Sequence, residues 1–364
     1  MRILYFSQGF SPHDERFLAA LAGTGHEVIF LRLEPEEQVT LPENVNEVVL
    51  PGVKAAMLKH NYSSIVRRLD ALLDTLHPDL VHAGPLQGPA WLAARTSFKP
   101  LVSMSWGSDL LKDADRSLKM RWRTRYTLAK TSVLLADCEA VAQKAVSYGF
   151  SRDRIRVFPW GVDLAHFNPE GNAPLRKKLN WQKNTVFLCN RTMEPLYGVD
   201  VVLNAFIEAA GQFPQARLIL MGKGSQEESL RQKAVQAGMS DNVYFGGFAS
   251  RADLPGIYRG ADVYVSASHS DGSSVSLMEA LACGKPALVS SIPGNREWIQ
   301  TGVQGWLFKD GDASELAAKM KMICENGVEP MLSTNARLLA EARADWGRNF
   351  QSLMDAYELA LGSV

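Results

Sequence analysis

Short apolar runs alternate with helix-like segments along almost the whole chain, and the alternation happens twice. Ile3 to Phe6 and Glu27 to Leu33 have the continuous apolar character of strands buried on both faces. Between them, Ser11 to Gly23 carries Phe17, Leu18 and Leu21 on one helical face, with Gly23 or Gly25 available to end it. Val66 to Leu76 reads as a helix, and Leu80 to His82, Pro100 to Ser103 and Val133 to Ala136 as further strands. Strand and helix in turn predict βαβ units around a parallel sheet.

Around 158 to 183 the pattern breaks. The stretch FPWGVDLAHFNPEGNAP is rich in Pro, Gly and Asn, as an interdomain linker would be. A second series follows: strands at Val186–Cys189, Leu218–Met221, Val243–Phe245, Val263–Val265 and Ala287–Val289. Helices are expected at Val199–Ala210, Glu227–Ala237, Ala252–Tyr258, Val275–Ala282 and Ser314–Ile323. Trp346–Leu361 reads as a last amphipathic helix. The expected organisation is two Rossmann-like, doubly wound α/β domains facing each other across a cleft. The first covers 1–165 and is completed by the C-terminal helix 346–364; 166–183 is the linker, and the second covers 184–345. Ligands of such sheets bind outside the carboxyl ends of the strands.

Composition narrows the function classes. The 39 basic residues balance 39 acidic ones, so there is no overall basic excess to suggest nucleic acid. Cys138, Cys189, Cys283 and Cys324 form no C-x-x-C pair, which argues for reduced, packed thiols rather than a zinc site or disulfide framework. The N-terminal apolar run is too short for a signal peptide, and no stretch approaches a membrane span. A cytoplasmic protein is expected, free to lie against a membrane surface.

The most informative segment is SASHSDGSSVSLMEALACGKP, from Ser266 to Pro286. A strand ends there, a Ser/Gly loop follows, and a helix starts near Val275. Such a helix start offers free N–H groups to phosphate, and Gly272 lets backbone approach a ligand. Asp271 in the loop and Glu279 on the helix's second turn are spaced to meet one polyhydroxylated ligand. Taken singly, Ser276-x-x-Glu279 also fits a capping box, and Asp271-Gly272 a plain turn.

In combination the segment resembles the donor-site motif of retaining glycosyltransferases of family 4, which have the GT-B fold. Asp271 stands where that motif has its first Glu, Glu279 is the second, and Ala280, Ala282, Gly284 and Pro286 complete it. NRTMEPLYGVDVVLNAF resembles the family's Arg-containing loop, and LILMGKG its strand with a Gly-x-Gly turn. IYRGADVYVSAS, PGNREW and GWLF follow in family order; GHEV, WGSDLL and FPWGVDLAHF match in the first half. The resemblance implies that Arg191 faces the donor diphosphate, Glu279 the ribose hydroxyls and Asp271 the transferred sugar. Backbone N–H groups of Ser273, Ser274 and Val275 would hold phosphate oxygens. It also implies retention of anomeric configuration, with a UDP- or GDP-sugar as donor and a glycan or lipid-linked hydroxyl as acceptor.

The chain departs from that pattern in three places. Tyr197 precedes Gly198 where many relatives have Lys, and the spacing from Arg191 is one residue longer; Lys223 of the Gly-Lys-Gly turn is the candidate replacement. Asp271 is one methylene shorter than Glu. Trp106 of SWGSD stands where many relatives have His, with Asp109 next to it as a contact for sugar or acceptor, or as an N-cap. Gly9 resembles the family's glycine contact to phosphate, and His13 and Asp14 are candidates for the acceptor side.

RSLKMRWRTRYTLAK, residues 116–130, holds six basic residues and no acid, with Leu118, Trp122 and Tyr126 recurring every four positions. That stripe suits either packing on its own domain or peripheral contact with an anionic membrane. No side chain is an obvious nucleophile, so catalysis is expected to rest on stabilising the departing diphosphate, with no cofactor. No metal is expected either, because Asp113/Asp115 and Asp310/Asp312 lie outside the donor motifs. A nucleotide-sugar epimerase or hydrolase, or a non-catalytic nucleotide-sugar-binding scaffold, are the alternatives.

Overall fold

The structure is a computed structural model, and it describes residues 1–33, 39–50 and 61–362. The chain divides into two compact units, Met1–Phe158 with Phe350–Val364, and Pro159–Asn349. The first contains seven parallel strands: β1 (Arg2–Ser7), β2 (Glu27–Arg32), β3 (Val45–Val49), β4 (Leu80–Ala83), β5 (Leu101–Met104), β6 (Val133–Ala136) and β7 (Ile155–Val157). Their order is β3-β2-β1-β4-β5-β6-β7. The second contains β8 (Thr185–Asn190), β9 (Ala216–Met221), β10 (Val243–Gly247), β11 (Val263–Ser266), β12 (Ala287–Ser290) and β13 (Gly305–Phe308), in the order β10-β9-β8-β11-β12-β13.

Both sheets reverse their strand order at one place, between β1 and β4 and between β8 and β11. That reversal opens the crevice where doubly wound sheets bind ligands. The central strands are apolar on both faces because helices cover both; Ile3, Leu4, Phe187, Leu188, Val263 and Val265 are fully buried.

Helix starts follow local chemistry. Ser11 caps Pro12–Ala22 by accepting from the Asp14 N–H, and its own N–H donates back to the Asp14 carboxylate, a capping box with Asp in the third position; Pro12 occupies the first turn, where its missing N–H costs nothing. Helices at Val275–Ala282 and Trp346–Leu361 have the bounds the sequence suggests, whereas Tyr62–Leu76 begins four residues earlier than the apolar pattern does. The helix Pro330–Arg343 and the strands β3, β7 and β13 carry too weak a periodicity to be read from sequence.

The stretch 166–183 is structured within the second unit rather than a free linker. It contains the helix Pro174–Lys178, buries Trp181, and sends Arg176 to the Asp262 carboxylate at 2.8 Å and to the Asn184 carbonyl at 2.7 Å. The final helix starts in the second unit and ends in the first, where the Tyr357 hydroxyl meets His82 Nδ1 at 2.7 Å. The last two residues of the expected 346–364 segment lie outside the described residues. The four cysteines are free thiols, three of them buried.

Candidate active site

In the second unit, the two loops that leave β8 and β11 flank the reversal of strand order. Arg191 is the first residue after β8. Its Nη1 donates to Ser274 Oγ at 2.5 Å and Ser276 Oγ at 3.2 Å, and its Nη2 donates to Asp271 Oδ2 at 2.6 Å. Residues eighty positions apart are thereby joined in one mostly buried ion pair. Burial is the largest single influence and works against the guanidinium's charge, but Asp271, Tyr264, Tyr197 and Cys189 together outweigh it and raise the arginine pKa above its ordinary value. Arg191 Nε is buried and has no hydrogen-bond partner among the described residues.

Tyr197 lies beneath this arginine, whose guanidinium sits 4.3 Å from the centre of its ring. The residue at the position of the family's lysine thus supports Arg191 by a cation–π contact. Gly198 turns the chain with φ +59° so closely against β11's exit that a Cβ there would collide with the Ala267 carbonyl oxygen. Lys223 is exposed, and its carbonyl accepts from the Met193 N–H at 2.9 Å, which ties the Gly-Lys-Gly turn to the Arg191 loop. Glu194 fastens the same turn by accepting from the Ser225 N–H at 2.7 Å and the Ser225 hydroxyl at 2.5 Å.

The helix Val275–Ala282 begins at Ser274, which gives it no side-chain cap. The capping-box possibility at Ser276 is therefore not realised: Ser276 lies inside the first turn, and its hydroxyl meets Arg191 and, at 2.7 Å, Tyr264. Glu279 is buried, and its Oε2 accepts from the Tyr258 hydroxyl at 2.7 Å; that hydroxyl accepts from Asn190 Nδ2 at 2.8 Å. Ser273 Oγ accepts from Trp298 Nε1 at 3.0 Å. Gly272 lies against Gly294, where a Cβ would strike the Gly272 carbonyl and come within 2.7 Å of that of Asp271. The loop is thus clamped from below, while the helix start carries no side-chain cap.

Tyr258, Asn190, Ser276 and Trp298 all lie inside the motif segments, but sequence reasoning gave them no part in the site. Asn190 ends β8 beside Arg191, and Tyr258 is the last residue but one of the helix Leu254–Arg259, just before β11.

In the first unit, a cavity of about 560 Å³ lies at the corresponding edge, lined among others by Gly9, Asp14, Arg32, Trp106, Asp109 and Asp113. His13 meets Trp106 edge-on, ring centres 5.2 Å apart. Asp109 neither caps a helix nor points free. The helix Ser108–Leu111 starts from Gly107, and the buried Asp109 carboxylate accepts from the Ser105 hydroxyl at 2.6 Å and from the N–H groups of Trp106, Leu110 and Leu86, each at 3.0 Å. Burial pushes its carboxyl above the usual range against the pull of these donors. Asp14 is likewise buried, spent on Ser11 and, at 3.1 Å, the Tyr5 hydroxyl. The Asp-x-Asp pairs have other occupations: Asp115 meets Lys144 and Tyr148, Asp310 meets His269 at 2.7 Å, and Asp312 caps the helix Ala313–Asn326.

The model of glycosyl transferases group 1 matches residues 172–349, and that of glycosyltransferase family 4 matches 13–166. The chain is a glycosyltransferase. As a glycosyltransferase it is similar to D-inositol 3-phosphate glycosyltransferase of Saccharomonospora viridis, 27% identical over 330 residues that cover 83% of this chain and 75% of that one. The corresponding enzyme of Acidothermus cellulolyticus is 25% identical, covering 97% and 86%. Among solved structures, Anabaena HepE in complex with UDP-glucose superimposes with a TM-score of 0.80 at 22% identity, covering 98% of this chain and 99% of that one. Sucrose-phosphate synthase from Thermosynechococcus elongatus gives 0.81 at 17% identity over the full length of both chains. The glycosyltransferase therefore has the GT-B fold, and the loops after β8 and β11 lie within the group 1 match.

Proposed function

We propose that this glycosyltransferase moves a sugar, with retention of anomeric configuration, from a UDP-sugar to a hydroxyl of a glycan or lipid-linked acceptor. The observation that carries the reading is the seating of Arg191 against the uncapped start of the helix Val275–Ala282, beside Asp271. A diphosphate at that spot would meet a fixed guanidinium and several backbone N–H groups, donors already arranged for the charge that builds on a leaving group. Support for the base comes from the fold relative that binds UDP-glucose. Glu279 would accept from the ribose hydroxyls, Asp271 would turn part of its carboxylate toward the sugar, and Lys223 would reach the outer phosphate from its exposed turn. Gly9, His13 and Trp106 would border the acceptor in the first unit.

The step breaks the bond from the anomeric carbon to the diphosphate oxygen and forms one to the acceptor oxygen on the same face. The acceptor proton passes to the departing phosphate oxygen. No metal ion is invoked: Asp115, Asp310 and Asp312 serve other contacts, and Asp113 stands without its pair partner in the first unit's cavity. The reading has the reaction run in the cytoplasm, and a lipid-linked acceptor would bring it to the membrane face.

Acceptor-dependent release of UDP from a panel of UDP-sugars tests the whole reading; hydrolysis without acceptor, or no release at all, would count against it. Arg191→Ala should lower turnover on the order of a hundredfold, with a smaller loss in donor affinity by calorimetry. Arg191→Lys should recover only part, because an ammonium lacks the fork. Since Asp271 would be left without its partner, some stability will go too. Turnover that falls no further than the folded fraction would make Arg191 structural.

A further inference from the structure

The helix Leu118–Lys130 is built inside out with respect to its apolar stripe. Its inward residues are Arg123, Thr124, Thr127 and Leu128. The Arg123 guanidinium lies 4.0 Å from the centre of the Trp91 ring and 5.0 Å from that of Tyr62. At 100° per residue the opposite side of the helix carries Leu118, Trp122 and Ala129, with Tyr126 at its border. Leu118 is 83% exposed and Trp122 56%. Trp122 stacks on Tyr126 with ring centres 5.3 Å apart, and the half-buried Tyr126, packed on the core, anchors the exposed Trp122 ring as a plate at the surface.

Cations border this plate on both sides. On the helical wheel Arg121 and Arg125 fall on one flank and Lys119 and Lys130 on the other, all four exposed, with Arg116 just before the helix. Among the described residues Arg116, Lys119, Arg125 and Lys130 pair with no carboxylate. Arg121 reaches only Asp115, at 3.8 Å, and Asp115 is already engaged by Lys144 and Tyr148. An apolar centre between two cationic edges has the cross-section of a helix that lies in a bilayer interface.

We propose that this face docks the enzyme on an anionic lipid surface, with Leu118 and Trp122 entering the headgroup boundary and the flanking Arg and Lys residues meeting lipid phosphates. A second copy of the chain is a poorer occupant, because symmetrical pairing of the stripe would bring like charges together. The proposal is independent of the donor chemistry.

The test is sedimentation with vesicles of phosphatidylcholine alone and of phosphatidylcholine with phosphatidylglycerol. Wild type should bind the anionic vesicles at low salt, spare the neutral ones, and dissociate as salt is raised. Changing Lys119, Arg121 and Arg125 together to Gln should weaken binding on the order of a hundredfold. Trp122→Ala should weaken it roughly tenfold. Both variants alter exposed positions and should melt as wild type does. A second measurement needs no large change: anionic vesicles should blue-shift the tryptophan emission of wild type, and Trp122→Phe should remove most of that shift. Failure of wild type to sediment, equal binding to neutral vesicles, or variants that bind like wild type would overturn the proposal. So would a lipid-free dimer that Trp122→Ala abolishes.

Discussion

Glu279 is held from its flank by Tyr258 rather than by its own helix. The Tyr258 hydroxyl is buried, takes a hydrogen bond from Asn190 and gives one to the carboxylate, so it helps to fix how that carboxylate is turned. Tyr258→Phe deletes that donor, and with it the acceptor of the Asn190 amide. If Glu279 binds ribose, the variant should bind UDP about 1.5–3 kcal/mol more weakly, as for a hydrogen bond to a charged group. Turnover at saturating donor should change little. Adding Glu279→Gln should then cost less than it does alone, since the two side chains act as a unit. Calorimetry with UDP on the single and double variants reads this directly; wild-type affinity in folded Tyr258→Phe would remove Tyr258 from the site.

At the scale of elements, the Arg191 loop depends on a single backbone turn. Gly198 carries the chain in the left-handed region at φ +59°, tight against the Ala267 carbonyl, and the helix Val199–Gln212 starts there. Gly198→Ala adds both a strained dihedral and a steric clash, so a loss of about 2–4 kcal/mol is expected. Because the same turn carries Tyr197, on which Arg191 rests, UDP affinity should fall along with stability. Denaturant unfolding beside UDP titration checks both, and wild-type values for either would show that the turn can shift without disturbing the arginine. The helix Leu118–Lys130 shows the converse case, in which partners outside the element decide its orientation. Trp91 and Tyr62 offer aromatic faces that take the Arg123 guanidinium, and the apolar stripe is turned outward as a result.

For the molecule as a whole, the closing helix returns to the first unit through a buried contact that is sensitive to pH. His82 is fully buried with its Nδ1 on the Tyr357 hydroxyl, and burial lowers its pKa to about 3. The unfolded chain takes up that proton near pH 6.5, the ordinary histidine value, while the folded protein does not. The linked stability is therefore complete above about pH 6.5 and is lost progressively as the pH falls toward 3. At pH 5 the loss should be on the order of 2 kcal/mol relative to pH 8. His82→Phe should lower stability at pH 8, because Tyr357 loses its partner, yet show a flatter profile between pH 8 and pH 5. Subtracting the two unfolding profiles cancels the contributions of buried Asp14 and Asp109. Parallel profiles would mean that His82 is hydrated or protonated in the folded state.

Two α/β halves, the strands at the centre of each sheet and the helix from Val275 to Ala282 were legible in the sequence, because period, apolar runs and turn residues are local properties of the chain. The family motif likewise put Arg191, Asp271 and Glu279 in one region. Their actual contacts were not legible. The Arg191–Asp271 pair, the Tyr258–Glu279 bond and the support from Tyr197 depend on which strands are neighbours, and strand order joins loops eighty residues apart that no spacing connects. The same holds for Asp109, whose four donors come from two separate loops, and for the segment 166–183, whose Pro and Gly content suits a linker although Arg176 and Trp181 fasten it to the second unit. At 118–130 the period alone predicted a helix, but which of its faces would be buried was decided by the neighbours it packs against, and a guanidinium over two aromatic rings took the place that an apolar stripe would otherwise fill.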